Sequence, residues 1–148
     1  MDNIEDFGIK RIVVAVETSD FSEMIMARAS AIAIAFSAEI HLISVVALPK
    51  LVASEADVGR DEVSINEKIF SEHQKKLIDQ YLRRRNLHIE TRVLHGDPSS
   101  KIINYANDVG ADLIVMGSKT YTRIQRFFLG GISERVLRDA KCSVMIAR

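Results

Sequence analysis

The stretch from Gly117 to Ser133 holds the densest chemistry in the chain. It opens Gly117-Ser118-Lys119-Thr120, closes Gly130-Gly131-Ile132-Ser133, and carries Thr122, Arg123 and Arg126 between. No Asp or Glu occurs from Leu113 to Ser133. Cations without anions, several hydroxyls and paired glycines are the ingredients of an anion site. Glycine lets backbone approach a ligand closely. A helix N-terminus adds free N–H groups and the positive end of a dipole. Three of the seven glycines fall here, and Gly96 ends another apolar run. The same residues also suit a solvated loop with a strand-end glycine and a helix cap, so composition alone leaves both readings open.

Established phosphate motifs do not decide between them. No GxGxxG occurs. The P-loop pattern fails because Asp112 stands where its first glycine belongs and Ser118 where its lysine belongs. Other reactive groups are scattered. His41, His73, His88 and His95 show no metal-ligand spacing and no cysteine neighbour. His73 reads as polar-face, His41 and His88 as strand residues, and His95, beside Gly96, as the one histidine that could touch a ligand. Cys142 follows Lys141, which would lower an exposed thiol's pKa; a small half-buried residue is the simpler reading. Ser19 and Ser118 lack a nucleophile elbow. Without a base, nucleophile and orienting group in support of one another, the expectation is a binding protein and not an enzyme.

Regular elements must position these groups. Apolar, β-branched runs lie at Arg11–Val16, Glu39–Val46, Leu87–His95, Asp112–Gly117 and Ser143–Ala147. Most are apolar on both faces, as strands of a buried parallel sheet are. Leu87–His95 alternates more and belongs at an edge. Helical patterns fill the gaps. Ser22–Phe36 follows Asp20, which with Glu23 has the form of a capping box. Ser64–Asn86 is amphipathic, and the cations Arg83-Arg84-Arg85 near its end suit the dipole. Asp97-Pro98 starts a helix that runs to Asp108 and stops at Gly110. A last helix covers about Ser133 to Ala140. Ala47–Val63 reads as a mobile surface loop. The order predicts a single-domain α/β chain, 1–148, with a parallel sheet and right-handed crossovers. Ligands of such sheets bind beyond the carboxyl ends of strands where strand order reverses. The first strand ends in Glu17-Thr18-Ser19 and the fourth in Met116-Gly117-Ser118.

Composition sets outer limits. The chain has 148 residues, is 47% hydrophobic and 27% charged, and carries 20 Lys plus Arg against 20 Asp plus Glu. Zero net charge argues against a general nucleic-acid binder. A single cysteine excludes an internal disulfide framework. The apolar run Met24–Phe36 is too short for a bilayer and is broken by Arg28. The start, Met1 to Asp6, lacks a basic leader. The expected setting is cytoplasmic, away from membranes.

Three segments carry a family resemblance. IVVAVETSDFSE, GDPSSKIINYANDVGADLIVMGS and LGGISERVLRDAKCSVMIAR resemble the universal stress protein family, over about Lys10 to Arg148. The resemblance implies an open five-stranded parallel sheet of order 3-2-1-4-5, Rossmann-like, with helices on both faces. The family's ATP-binding branch carries Gly, two residues, Gly, nine residues, Gly, then Ser or Thr. Gly117 and Gly130 match the outer glycines at the right separation; Thr120 stands at the second glycine and Gly131 at the Ser or Thr. Lys119 lies in the gap. By the same likeness Ala15, Val16, Val45 and Met116 would border the base, and Glu17, where the family usually has Asp, would take the ribose. Gly96 matches the glycine after the third strand. Gly117, Lys119, Thr120 and the helix start Gly130, Gly131, Ile132 and Ser133 would hold phosphates. The implied ligand is ATP, plausibly with Mg²⁺. The implied protein is a nucleotide-binding stress-response regulator, a homodimer through Ser143–Ala147, with slow ATP hydrolysis at most. The alternative is a dimeric interaction protein of the same fold that binds no nucleotide.

Overall fold

A computed structural model describes residues 3–47, 59–118 and 131–148. A short 3-10 turn, Ile4–Phe7, leads into β1 (Arg11–Ala15), α1 (Phe21–Phe36), β2 (Glu39–Val46), α2 (Gly59–Leu82), β3 (Ile89–His95), α3 (Pro98–Val109), β4 (Leu113–Gly117), α4 (Ile132–Asp139) and β5 (Ser143–Ala147). All strands pair in parallel, in the order β3-β2-β1-β4-β5. The alternation of strand and helix dictates this outcome, because each crossover helix returns the chain to the same end of the sheet.

The sheet separates two cores. Ile12, Val14, Val16, Leu42 and Val115 pack with α1 and α2 on one face. Val13, Ile43, Ile114 and Met116 pack with α3 and α4 on the other. This two-sided burial explains why the central strands read as unbroken apolar runs. The edge strand β3 leaves the adjacent Thr91 and Arg92 both exposed, so exposure follows its edge position and not a strict alternation.

Several boundaries depart from the sequence reading, each for a local reason. The helix α2 begins at Gly59, so the stretch taken as loop up to Val63 is helical from that residue. Residues 48–58 lie outside the described part. Asp20 does not cap α1: it is itself in helical conformation and its side chain makes no cap bond. The Ser22 hydroxyl instead donates back to the Glu17 carbonyl. His73 is not on a fully polar face, since its Nε2 is buried. The start of α3 is as predicted. Asp97 is extended, accepts from the Ser100 N–H at 3.0 Å, and Pro98 occupies the first turn. Gly110 closes that helix in the left-handed region at φ +66°.

Polar side chains tie the layers together at both ends of the strands. At the amino end, Asp112 Oδ2 accepts the N–H groups of Lys10 and Arg11, each at 2.9 Å. Arg11 binds Glu39 at 2.9 Å and donates to the Val109 carbonyl. His41, only 4% exposed, lies between Glu39 Oε1 at 2.5 Å and the Tyr105 hydroxyl at 2.8 Å. These partners hold the Glu39 carboxyl below the usual carboxylate range, the His41 bond first and Arg11 second. On the other face, Gln74 of α2 is buried, and its amide donates to Ser44 Oγ at 3.0 Å and to the Arg92 carbonyl at 2.9 Å. A buried acceptor left without a donor loses its hydration with nothing in return. Gln74→Leu should therefore lower unfolding stability by about 1–3 kcal/mol in urea titration, despite adding apolar volume.

Candidate functional site

The parallel ladder between β1 and β4 is short. Its register pairs Ile12 with Leu113, Val13 with Ile114 and Val14 with Val115, and stops there. Beyond that point β1 stays with β2, through the Val16 N–H to the Ile43 carbonyl at 3.0 Å. The end of β4 stays with β5, pairing Met116 with Ile146 and Gly117 with Ala147. Two strands that part in this way open a crevice at their carboxyl ends, at the point where strand order reverses. Glu17 stands on one lip and Gly117 on the other.

The floor is apolar. Ala15 and Val45 are half-buried, Met116 is nearly fully buried, and all three belong to the core on the α3 and α4 side with Ile132. Val16 points the other way and packs into the α1 and α2 core, so only its backbone faces this region. Gly117 admits α1 closely: a Cβ there would lie 2.9 Å from Ile25 Cδ1. Gly96 needs its lack of a Cβ more strictly. Its φ is +136°, and the stem of Lys101 runs where a side chain would begin.

The helix starts converge on this end of the sheet. Gly131 precedes α4 in extended conformation with no side-chain cap, leaving the first N–H groups of the helix, at Ile132 and Ser133, free of a capping side chain. Arg135, one turn in, donates to Asp97 Oδ2 at 2.8 Å and to Ser100 Oγ at 2.9 Å. That bond ties the start of α4 to the start of α3 across 38 residues of sequence. Hydrogen bonds from Ser100, then the Arg135 charge, hold the Asp97 carboxyl low. Sequence reasoning identified Asp97 as a cap and missed Arg135, because no local pattern signals a partner so distant. Lys119, Thr120 and Gly130 lie outside the described residues, as do Arg123 and Arg126.

His95 is the histidine expected near a ligand. Its Nε2 is 2.7 Å from Glu67 Oε1 of α2, and its Nδ1 is buried without a partner among the described residues. It therefore serves the α2 side. Burial pushes the Cys142 thiol up, contrary to activation by Lys141. Among the described residues no three His, Cys, Asp or Glu side chains are grouped to hold a metal.

Glu17 is the electrostatic exception. It is half-buried, and no hydrogen bond or ion pair joins its carboxyl to another described residue. Loss of hydration alone pushes the carboxyl up to about 7. The unfolded chain ionises this group near 4.5 and the folded chain near 7, so the cost to the fold grows between those values and is constant above. Glu17→Gln removes the charge and should stabilise the protein at pH 8 by on the order of 1 kcal/mol after allowing for solvent screening. At pH 4 the variant and the parent should melt together, which thermal unfolding at the two pH values will check.

Comparison with known proteins agrees with this architecture. The universal stress protein family profile matches residues 8–148. A universal stress protein of Methanocaldococcus jannaschii is 32% identical over 139 residues, covering 94% of this chain and 82% of that protein. The universal stress protein UspA from Lactobacillus plantarum superposes with a TM-score of 0.85 at 21% identity, over 95% of this chain and 99% of its own. A universal stress protein crystallised in complex with cAMP superposes at 0.71 with 23% identity, over 95% and 98%. Among the described residues no helix is long and apolar enough to cross a membrane. The strand order, the crevice between β1 and β4 and the near full-length profile match agree: this chain belongs to the universal stress protein family.

Proposed function

We propose that the protein binds an adenine nucleotide, ATP in the first instance, in the crevice between β1 and β4, and acts as a regulatory binding protein. The observation that carries this reading is the crevice itself: an apolar floor, a carboxyl on one lip with no partner among the described residues, and an uncapped helix start nearby. These groups fit the three parts of a nucleotide. Ala15, Val45 and Met116 suit the base. Glu17 accepts from ribose hydroxyls. The backbone N–H groups that open α4 suit phosphate oxygens. Mg²⁺ arrives with the triphosphate, whose oxygens are its customary ligands. The cAMP complex of a structural neighbour supports the adenine class. We read the role as binding and not turnover, because among the described residues no base, nucleophile and orienting group support one another beside Glu17.

Calorimetry and thermal shift with ATP and AMP test this directly. Binding should raise stability by about 2.7 kcal/mol at a hundredfold excess over Kd. No heat and no shift at millimolar nucleotide would overturn the reading, and would favour the nucleotide-free interaction protein.

The same proposal includes a homodimer through β5. Among the described strands this edge pairs with β4 alone, and Val144, Met145 and Ile146 remain half-buried in the single chain. An apolar edge of this kind invites a second strand. Sedimentation should give twice the 16.6 kDa chain mass. Val144→Asp should halve it while far-UV circular dichroism stays folded; a folded variant of undiminished mass counts against the interface.

A further inference from the structure

We propose that Glu17 couples occupation of the crevice to the release of one proton. The inference rests on the nucleotide reading above and concerns how that site is regulated.

The geometry carries it. The main chain at Glu17 is fixed on both sides: the Val16 N–H binds the Ile43 carbonyl, and the Ser22 hydroxyl binds the Glu17 carbonyl. This fixes where the side chain begins, and the residue is half-buried there. Along β1 the alternation of faces places Val13 and Ala15 on the apolar floor, and Glu17 comes two residues beyond Ala15. Among the described residues, the elements around it supply no compensating charge. The ends of β2 and β4 contribute Val45, Val46, Met116 and Gly117. The start of α1 contributes the anions Asp20 and Glu23, and the start of α4 contributes Glu134 and Arg135. Arg135 is committed to Asp97 and Ser100. None of these acts on Glu17, whose titration is governed by lost hydration alone. Lys119 lies outside the described residues.

A half-buried carboxyl without a partner has two ways to lower its energy. It keeps its proton, or it accepts hydrogen bonds from a donor. A ligand with neutral donors, such as a ribose hydroxyl, supplies the second. In the coupled step the Glu17 O–H bond breaks, the proton passes to water, and the ligand donor takes its place on the carboxylate oxygen. Charge balances, since one proton leaves for each carboxylate formed. A cation on the ligand is not required, and a ligand lacking donors at this lip would bind without the coupling.

The sign follows from linkage. The empty site holds its proton more tightly than the filled one, so affinity rises with pH until the empty site is itself ionised, near 7, and is flat above. The steepest part approaches tenfold per pH unit. Terminal phosphates titrate in the same range and would mimic this. The probe is therefore cAMP, whose phosphodiester does not. Calorimetry from pH 5.5 to 8.5 on the full chain should show Kd falling several-fold up to about pH 7 and then levelling. At neutral pH, buffers of different ionisation heat should report release of about half a proton per cAMP. Glu17→Gln should give a flat profile, whatever its absolute affinity. A flat profile in the parent, or an equal slope in the variant, overturns the proposal and leaves nucleotide binding intact. No cAMP, AMP or ATP binding at any pH overturns both. A ligand-free test is the carbon-13 titration of the Glu17 carboxyl: a midpoint near 7 supports the coupling, and one near 4.5 overturns it.

Discussion

The structure turns on the point where hydrogen bonding between β1 and β4 stops. Up to Val14 and Val115 the two strands satisfy each other's backbone groups. One residue further, each is held by its outer neighbour instead. The division follows from topology. The chain winds one way from β1 to β3 and the other way from β4 to β5, so the crossovers leave β1 and β4 toward opposite sides. A gap at their carboxyl ends is the geometric remainder. The apolar floor, the half-buried lip at Glu17 and the start of α4 all owe their place to it.

Two unlike polar arrangements stand at opposite ends of this sheet. At the amino end, Asp112, Arg11, Glu39, His41 and Tyr105 satisfy one another through short bonds. Such a network adds rigidity, since each group's lost hydration is replaced by a partner. At the carboxyl end, Arg135, Asp97 and Ser100 fasten two helix starts in the same manner. Glu17 differs from both: among the described residues its carboxyl has no partner, and lost hydration pushes it up. A carboxyl shifted in this way beside a crevice marks a candidate working residue.

Much of this was legible in the sequence. Strands buried on both faces announce themselves by unbroken β-branched runs, so the parallel sheet and the edge position of β3 followed from Arg11–Val16, Asp112–Gly117 and Leu87–His95. The Asp97-Pro98 start and Gly110 stop of α3 were equally plain, because capping depends on residues adjacent in sequence. Failures came where chemistry depended on distant or competing partners. Asp20 and Glu23 have the spacing of a capping box, but the Ser22 hydroxyl turned to Glu17. The opening turn of α2 carries Gly59, Asp61 and Glu62 and so resembled loop. Arg135 on Asp97, and Glu67 on His95, join residues far apart in sequence. The isolation of Glu17 was invisible, because a sequence names a carboxylate without naming what surrounds it.

The central place of β1 has a consequence during synthesis. Of the described strands it is made first, yet its neighbour β4 begins about a hundred residues later, at Leu113. At typical elongation rates, roughly 5 to 20 residues per second, one side of β1 waits several seconds for its partner. Until then Ile12, Val13 and Val14 offer an open apolar strand to any passing chain. The nascent protein is thus most vulnerable to mispairing at the strand that later becomes its most protected.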